Sequence, residues 1–412
     1  MKRIGALMLI LFTCFVLGQR MQAQGTIPTF DAPDTGQGTI LEQDTRAGTD
    51  LPAVAPEWTQ YGFLSTHTSF NSRETILTRA NVAGLTWQWA GEVGKVGISF
   101  ASAAVVGRGI VYVAADGMIF AFRADDGKKL WSHLSCSGVG TVQAALGVGA
   151  LLVGDAGGDL AAYDPVTGNQ IWCDDEGGSI TSAPAVKAGT VYITNGGDVV
   201  AIDHLTGIPR WRFTPADFSP VTNTPAVGPG VVYVTGGNSV FALNATNGHL
   251  MWRDSLGPQT NVSAPSLAGG TVYVGGTNLV ALNASTGRLR WVQHTVGVNV
   301  TTPAIAYSKV FVNSQDPAFG LWAFDAITGA FLWRRKAPEE SGATVTVANG
   351  VVYDIADTGE LMMFNTSTGA FLGSIIDPHG HRFNSLFGAQ PAVLNGTVYI
   401  QAENQIDAFR LP

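Results

Sequence analysis

Residues 181–213 read TSAPAVKAGTVYITNGGDVVAIDHLTGIPRWRF, and this stretch decides the fold. It holds four short runs rich in β-branched and aromatic residues, and Gly, Asn or Asp residues bound each run. Runs of about 4–6 residues suit β-strands and are too short for helices. The stretch therefore predicts a unit of four β-strands whose last strand carries Trp211.

This unit repeats along the chain. Seven tryptophans recur at gaps of 42, 41, 39, 41, 39 and 42 residues, namely Trp89, Trp131, Trp172, Trp211, Trp252, Trp291 and Trp333. A period near 40 residues is typical of propellers and solenoids. A motif of the form Ala-x-(Asp/Asn)-x-x-(Thr/Asn)-Gly-x-x-x-Trp precedes most of them, as in Ala201–Trp211. We expect its Asp or Asn to bond backbone N–H groups of a turn and its Gly to supply a positive φ.

The tryptophans of the repeat are predicted to be packing elements and not cofactor platforms. A large amphipathic ring fits between neighbouring sheets, and positions shared by all repeats serve the fold more often than a site. This blade-docking role is predicted for Trp131, Trp172, Trp211, Trp252, Trp291 and Trp333.

The number of units predicts the architecture. Units that end in Trp begin near Ser102, Val142, Ser182, Asn223, Ser263 and Thr301. A seventh begins near Ala343 and has Gly373 in place of Trp, and an eighth begins at Ala389 and stops after three strands. A spare strand, Leu85–Trp89, precedes the first unit. We therefore predict an all-β, eight-bladed β-propeller of four-stranded antiparallel blades over 85–412, whose ring is closed by the N-terminal strand, so that no sheet edge stays open.

The N-terminus predicts export. Met1-Lys-Arg followed by the apolar Ile4–Gly18 is typical of a secretory signal peptide, here 1–23. The apolar stretch is short for a membrane span, and lipid anchoring through Cys14 stays open as an alternative. Residues 24–56 are expected to form a disordered polar linker, and 57–84 a lead-in segment to the ring. The mature protein is then periplasmic or extracellular, and we expect a monomer.

Charge and cysteine content restrict the partners. Without Lys2, Arg3 and Arg20, 20 basic residues face 31 acidic ones, a net charge of −11. This argues against nucleic acid or an anionic membrane as a partner. Two cysteines remain, Cys136 and Cys173, and both are expected at one face of the second blade. We predict a disulfide between them, and two unpaired thiols on the rim are the alternative.

The repeat motif closely resembles the pyrroloquinoline quinone (PQQ) enzyme repeat. The lead-in, Glu57-Trp58-Thr-Gln-Tyr61-Gly62 and Ala80-Asn81-Val82 to Trp87, resembles the stretch before the first strand of quinoprotein dehydrogenases. The resemblance covers about Glu57 to Pro412. The same repeat also builds propellers that hold no quinone, such as the propeller lipoprotein of the outer-membrane β-barrel assembly machinery.

The resemblance implies a definite site in the dehydrogenases. They stack PQQ beneath a disulfide between adjacent cysteines and hold calcium or a lanthanide with Glu, Asn and Asp residues. In this sequence the two cysteines are 37 residues apart, and no segment matches those ligands residue by residue. The connections between units are also mostly short, which leaves little chain to roof a cofactor.

The innermost strands should line a central channel. The residues at their beginnings form a ring of small, uncharged groups, namely Ser102, Val142, Ser182, Asn223, Ser263, Thr301, Ala343 and Ala389. A quinone with three carboxylates would need Arg or Lys there, and a catalytic metal would need carboxylates. We expect a water-filled channel, and we predict no catalytic, cofactor-binding or metal-binding residues.

Two polar clusters offer weaker signals. Asp377, His379 and His381 lie in the longest connection and could bind a transition metal, but no third imidazole or thiolate lies near them in the sequence, so polar surface is the preferred interpretation. Asp174-Asp-Glu176 is expected to be a solvated rim.

Two functions remain. The first is an exported, non-enzymatic scaffold that binds a protein, peptide or glycan through its rim loops. The alternative is a divergent PQQ-dependent oxidoreductase that uses PQQ with calcium.

Overall fold

The computed structural model of the protein describes residues 57–94, 102–140, 143–180, 182–216, 221–257, 262–294, 299–315, 319–336, 342–385 and 389–412. The predicted signal peptide (1–23), the predicted linker (24–56) and Val142 lie outside these residues.

The described residues form eight sheets, and three elements precede the strands of the first blade. These are strand β1 (Phe70–Asn71) and a 3-10 helix (Val82–Gly84), which are followed by β2 (Thr86–Glu92). Blade 1 consists of β3 (Val105–Gly107), β4 (Ile110–Ala115), β5 (Met118–Arg123) and β6 (Lys129–Leu134). Blade 2 consists of β7 (Gln143–Leu146), β8 (Leu151–Gly154), β9 (Asp159–Tyr163) and β10 (Gln170–Asp175).

The next three blades repeat this order. Blade 3 consists of β11 (Ala185–Lys187), β12 (Thr190–Asn195), β13 (Asp198–Asp203) and β14 (Pro209–Phe213). Blade 4 consists of β15 (Ala226–Val227), β16 (Val231–Gly236), β17 (Ser239–Asn244) and β18 (Leu250–Ser255). Blade 5 consists of β19 (Ser266–Ala268), β20 (Thr271–Val274), β21 (Leu279–Asn283) and β22 (Leu289–Gln293).

The last three blades complete the ring. Blade 6 consists of β23 (Ala304–Ala306), β24 (Lys309–Ser314), β25 (Gly320–Asp325) and β26 (Phe331–Lys336). Blade 7 consists of β27 (Thr346–Ala348), β28 (Val351–Ile355), β29 (Leu361–Asn365) and β30 (Phe371–Ile375), with β1 added parallel to β27. Blade 8 consists of β31 (Ala392–Leu394), β32 (Thr397–Ala402) and β33 (Gln405–Arg410), together with β2.

The N-terminal strand closes the ring. Strand β2 pairs antiparallel with β33, in a register that runs from Thr86 opposite Arg410 to Glu92 opposite Gln405. It therefore supplies the fourth strand that the last repeat lacks. The prediction of an all-β ring of eight four-stranded antiparallel blades, closed by the N-terminal strand, is confirmed.

The blades share one orientation, which defines two faces. The first strands of neighbouring blades contact one another from β3 round to β31, so they lie innermost and surround the axis. The fourth strand of one blade leads to the first strand of the next on one side of the ring, which we call the connection face. The opposite side carries the turns between third and fourth strands, such as Asp203–Gly207, and we call it the turn face.

Each tryptophan of the repeat docks on the turn of the next blade. Trp211, for example, lies against Gly248 and donates its indole N–H to the carbonyl of Ala245 at 2.9 Å. The same N–H bond to the next blade is made by Trp89, Trp131, Trp172, Trp252, Trp291 and Trp333. The glycine under the ring has φ of +72° in blade 4, and a Cβ there would stand 2.6 Å from the indole. The turn therefore needs glycine for two reasons, its positive φ and the space that the tryptophan of the preceding blade occupies.

The seam between blades 7 and 8 is built differently. Gly373 stands where the other blades have Trp, and the 3-10 helix packs on it. A Cβ at Gly373 would stand 3.0 Å from the Cβ of Ala83. The absent side chain therefore makes room for the lead-in segment. The described residues contain no helix with the length and hydropathy needed to span a bilayer.

Candidate functional site

The lead-in segment runs round the axis and contacts all eight blades. Trp58 exchanges two backbone hydrogen bonds of 2.8 Å with Val106 of blade 1. Further backbone N–H groups of the innermost strands donate to carbonyls of the segment, namely Leu146 to Thr59, Val227 to Ser65, Leu267 to Thr66, Ile305 to Thr68 and Val347 to Ser69. Side chains complete the circuit, since Gln60 bonds Val186 of blade 3 and Asn71 bonds Val393 of blade 8.

Tyr61 fills the centre of the channel. Its side chain packs with Ala183 of blade 3 and Ala264 of blade 5. Its hydroxyl lies 3.1 Å from the hydroxyl of Thr302 and 2.8 Å from that of Thr344. Burial raises the pKa of the Tyr61 phenol, and the two hydrogen bonds act in the opposite direction.

A tight turn places Tyr61 on the axis. Gly62 has φ of +69°, and its N–H donates to Gln390 Oε1 at 2.9 Å. A Cβ at this position would stand 2.6 Å from the Cα of His67, so the turn requires glycine. His67 is fully buried with its ring edge against Tyr61, and burial lowers its pKa to about 4. It is therefore neutral at physiological pH.

The small side chains at the beginnings of the inner strands are bonded within their own blades. The hydroxyls of Ser102, Ser182, Ser263 and Thr301 each accept the backbone N–H of the residue twelve positions later, which are Ala114, Thr194, Gly275 and Asn313. Ala343 and Ala389 are buried, and Asn223 bonds the carbonyl of Val262. The expectation of a water-filled channel is therefore wrong where Tyr61 and the rest of the lead-in segment occupy the axis. The Ser and Thr hydroxyls at the beginnings of the inner strands are bonded within the fold.

The connection face carries the two cysteines. Cys136 follows β6 and Cys173 lies in β10, and a disulfide joins them with a Cα–Cα distance of 6.4 Å. Asp159 lies beside them, and these three residues are the one set of three potential metal ligands within 4.8 Å of one another in the described parts of the chain. With the disulfide formed, both sulfur atoms are unavailable as thiolate ligands.

The acidic run beside Cys173 is only partly solvated. Asp174 and Asp175 are exposed as expected, but Glu176 is buried and accepts Arg212 Nη2 at 3.2 Å. Burial raises the pKa of Glu176, and the Arg212 charge acts against that rise. The prediction of a solvated rim is wrong for Glu176, because the next blade supplies its counter-ion.

A cavity of about 370 Å³ opens between β2 and blade 1. Val93, Met118 and Phe120 give it an apolar wall, and Glu92, Asp116 and Lys129 line it as well. One cation beside two carboxylates does not suit a tricarboxylate quinone.

The longest connection, between blades 7 and 8, holds an ordered polar turn. Asp377 is buried and accepts the backbone N–H groups of His379 at 3.1 Å and His381 at 2.9 Å. It also accepts His379 Nδ1 at 3.1 Å, while His381 Nδ1 lies 3.1 Å from Glu403 Oε2. The fold therefore adds a carboxylate from β32–β33 that sequence proximity did not indicate.

Two buried carboxylates were missed by sequence reasoning. Asp354 of blade 7 accepts Asn313 Nδ2 of blade 6 at 2.6 Å, and burial raises its pKa to about 6. Asp407 of blade 8 is also fully buried, and burial likewise raises its pKa to about 6. Both stand between apolar neighbours in their strands, and a comparison of equivalent positions between repeats is the signal that would have found them.

The fold agrees with known proteins of two kinds. A solved quinohemoprotein alcohol dehydrogenase, ADHIIG from Pseudomonas putida HK5, aligns with a TM-score of 0.73 at 15% identity over 86% of this chain and 80% of its own. BamB from Moraxella catarrhalis aligns with a TM-score of 0.64 at 16% identity over 79% of this chain and 97% of its own. At such identities the likeness shows the fold alone.

Sequence comparison finds the same two kinds of relative. The curated 1-butanol dehydrogenase (cytochrome c) of Thauera butanivorans is 29% identical over 163 residues, which is 35% of this chain and 23% of that enzyme. The match thus spans less than a quarter of the enzyme's length. The family described as outer membrane protein assembly factor BamB matches over 86–176, 156–275 and 236–410, which together span the whole ring. The chain therefore belongs to the family of propeller-repeat proteins that is described as outer membrane protein assembly factor BamB.

Proposed function

We propose that this chain is an exported, non-enzymatic propeller that binds a macromolecular partner, a protein, peptide or glycan, through its connection face. A protein is favoured among these, because the family is described as an assembly factor. One observation carries the proposal. The described side chains at the connection-face ends of the inner strands are small and uncharged, and their hydroxyls are bonded to their own blades. A ligand held there by charge would find no counter-charge on these side chains.

The two faces of the ring differ in which surfaces are open to a partner. The lead-in segment covers the axis near the ends of the inner strands, where it contacts Val106, Val227 and Val347 on the side of the turn face. The connection face carries the loops between blades, including the disulfide and the His379–His381 turn. Loops placed by a rigid scaffold are where propellers and barrels usually carry recognition.

In vivo photo-crosslinking tests this proposal. A photo-reactive amino acid is placed at Val139 or Thr358 on the connection face, and at Val166 or Leu205 on the turn face as matched controls, since all four side chains are exposed. We expect discrete adducts from the connection-face positions and none from the turn-face positions. Adducts confined to the turn face, or equal on both faces, would contradict the proposal.

The oxidoreductase is the second candidate, and the 29% identity to the 1-butanol dehydrogenase over 163 residues favours it. A quinone oxidant needs a metal to polarise its carbonyl, a base for the substrate hydroxyl and walls that exclude water. We expect no dye reduction with primary alcohols or aldoses after PQQ and calcium are supplied, and no saturable PQQ binding at micromolar concentration. Reproducible PQQ-dependent turnover that is lost when calcium is removed would replace the scaffold with the enzyme.

A further inference from the structure

The disulfide on the connection face lies beside a carboxylate that has no ion-pair partner among the described residues. Asp159 is the first residue of β9, and a carboxylate oxygen of it lies within 4.8 Å of the Sγ atoms of both Cys136 and Cys173. No described basic side chain forms an ion pair with this carboxylate. All three side chains are partly exposed, so solvent reaches them. The three residues therefore form an accessible set of two sulfur atoms and one oxygen.

Three elements of the fold bring these side chains together. Cys136 lies in the connection that leads from blade 1 to blade 2, whereas Asp159 and Cys173 lie in the neighbouring strands β9 and β10. Cys173 pairs with Ala161, which is two residues after Asp159. Because alternate residues of a strand share one face, Asp159 and Cys173 lie on the same face of blade 2.

A buried carboxylate in the turn between β8 and β9 holds these residues in place. Asp155 accepts the backbone N–H of Ser137, the residue after Cys136, on Oδ2 at 3.1 Å. Its Oδ1 accepts the backbone N–H of Asp159 at 3.2 Å. One side chain therefore fixes the connection that carries Cys136 against the strand that carries Asp159. This link is separate from the disulfide, so it remains when the S–S bond is reduced.

The charge around Asp159 favours a cation. Burial raises the pKa of the Asp159 carboxyl, and the negative charges of Asp155, Asp175 and Asp174 raise it further. A cation bound at Asp159 offsets the charge of all these neighbours at once. Two thiolates formed by reduction of the disulfide add negative charge at the same place. The reduced form therefore needs a counter-ion more than the oxidised form does.

We propose that Cys136 and Cys173 in their reduced form, together with Asp159, bind a divalent cation of the zinc class. Zinc accepts thiolate and carboxylate ligands, and water takes the fourth position in sites with three protein ligands. The disulfide and the metal exclude each other, because each of them uses both sulfur atoms. The site is thus closed in the oxidised protein and open in the reduced protein. It does not depend on the partner proposed above.

The change between the two forms balances in electrons and protons. An external dithiol transfers two electrons and two protons to the Cys136–Cys173 bond, and its own two sulfur atoms become a disulfide. The S–S bond of this chain breaks, and two thiols form. Binding of the cation then releases both thiol protons and forms two metal–sulfur bonds. Oxidation of the pair reverses these steps and releases the metal.

Titration of the full chain with Zn²⁺ in competition with a chromophoric chelator tests the site, with the chain either reduced by a phosphine or left oxidised. All proteins carry Cys14→Ser, so that Cys136 and Cys173 are the two remaining cysteines. We expect one tightly bound Zn²⁺ per reduced chain and no binding of that affinity in the oxidised chain. Cys173→Ser and Asp159→Asn should each weaken binding by at least about 10-fold, since loss of a ligand costs no less than loss of an outer-shell partner.

Co²⁺ in place of Zn²⁺ shows which atoms bind. Thiolate ligands give Co²⁺ an intense near-ultraviolet charge-transfer band, and its visible d–d bands report the whole ligand set. The reduced chain should show both. Asp159→Asn should keep the charge-transfer band and change the d–d bands. Asp125→Asn is the matched control, because it removes an exposed carboxylate from the turn face of blade 1, and it should change neither the bands nor the affinity.

Circular dichroism in reductant first compares the fold of each variant with that of the reduced parent chain. Zn²⁺ should raise the melting temperature of the reduced chain and leave that of the oxidised chain unchanged, because a cation that binds only the folded, reduced form stabilises it by mass action. The proposal is overturned if the reduced chain binds no Zn²⁺ tightly or if the oxidised chain binds it equally well. It is also overturned if Cys173→Ser keeps the parent affinity, if Asp159→Asn keeps the parent affinity or Co²⁺ spectrum, or if the reduced chain is unfolded and Zn²⁺ does not refold it.

Discussion

A docking tryptophan makes two separate contacts with the next blade. Trp211 covers Gly248 with its ring and donates its N–H to the carbonyl of Ala245 at 2.9 Å. Its ring also lies 5.9 Å from that of Tyr192 in its own blade. Such a side chain combines a large buried apolar area with one satisfied polar atom. The same arrangement recurs at seven of the eight seams, so the cost of losing one ring should be similar round the molecule.

Trp211→Ala and Trp252→Ala should each lower the free energy of unfolding by about 3–5 kcal/mol, as large-to-small substitutions of packed aromatic residues do. Chemical denaturation at constant m-value measures this loss. Trp211→Phe is the matched control, since it keeps an aromatic ring and loses mainly the hydrogen bond, worth about 0.5–1.5 kcal/mol. An unchanged denaturation midpoint for Trp211→Ala would show that the ring does not seal the seam.

The roles of individual residues could be predicted from the sequence where the same residue recurs in each repeat. The tryptophans and the turn glycines recur at a fixed spacing, so seven copies indicated one role. Asp407 is a single acid in a run of apolar residues, and no local pattern marks it. Glu403 joins His381 only because β32 and β33 return beside the connection after blade 7. Such contacts arise from tertiary structure, so they can be identified only once the arrangement of the blades is known.

At the scale of elements, the lead-in segment departs most from expectation. Its existence and its boundaries follow from the sequence, but its path does not. It contains one two-residue strand, and its bonds join residues far apart in sequence, such as Gly62 and Gln390 at a separation of 328. Irregular backbone has no periodicity from which a path can be inferred. The strands, in contrast, could be predicted from local sequence, because each is a short run of β-branched and aromatic residues bounded by turn residues.

The disulfide is a second link between elements, since it ties the connection after β6 to strand β10. We predict that it forms in the exported protein and contributes about 4 kcal/mol on the chain-entropy estimate for the loop that it closes. Mass spectrometry of alkylated, unreduced protein should find no alkylated thiol. Two alkylated cysteines would mean that the bridge is absent, and Cys136→Ser with Cys173→Ser should then cost no stability.

At the scale of the whole molecule, the two ends of the chain complete one blade. Six of the seven residues of strand β2 pair with β33, and Trp89 then docks on Gly127 of blade 1. This strand therefore covers the edge of blade 8 and also seals the seam to blade 1. A ring without it has two exposed edges.

Deletion of 57–90 should open the ring and cause aggregation, because β33 would lose its partner and blade 1 its docking tryptophan. Size-exclusion chromatography with light scattering and a thermal melt measure the outcome. Deletion of 24–56 is the matched control and should leave both unchanged. Deletion of 57–84 keeps β2 but removes Tyr61 and the 3-10 helix, and it should lower the melting temperature with less aggregation. A soluble, monomeric and equally heat-stable 57–90 deletion would contradict closure by this strand.

The circuit of the lead-in segment has a consequence for the order in which the molecule assembles. The ribosome synthesises the lead-in segment before it synthesises the blades that this segment contacts. Trp58 can pair with Val106 once blade 1 exists, but Asn71 meets Val393 only after the last blade has been made. Seven blades can form one after another as an open arc, since each needs only its neighbour. The final step then joins both ends of the chain at once, and it pays the full entropy of closing that loop. If ring closure is slow, the open arc persists for longer, and its unpaired end strands can then pair with another copy of the chain.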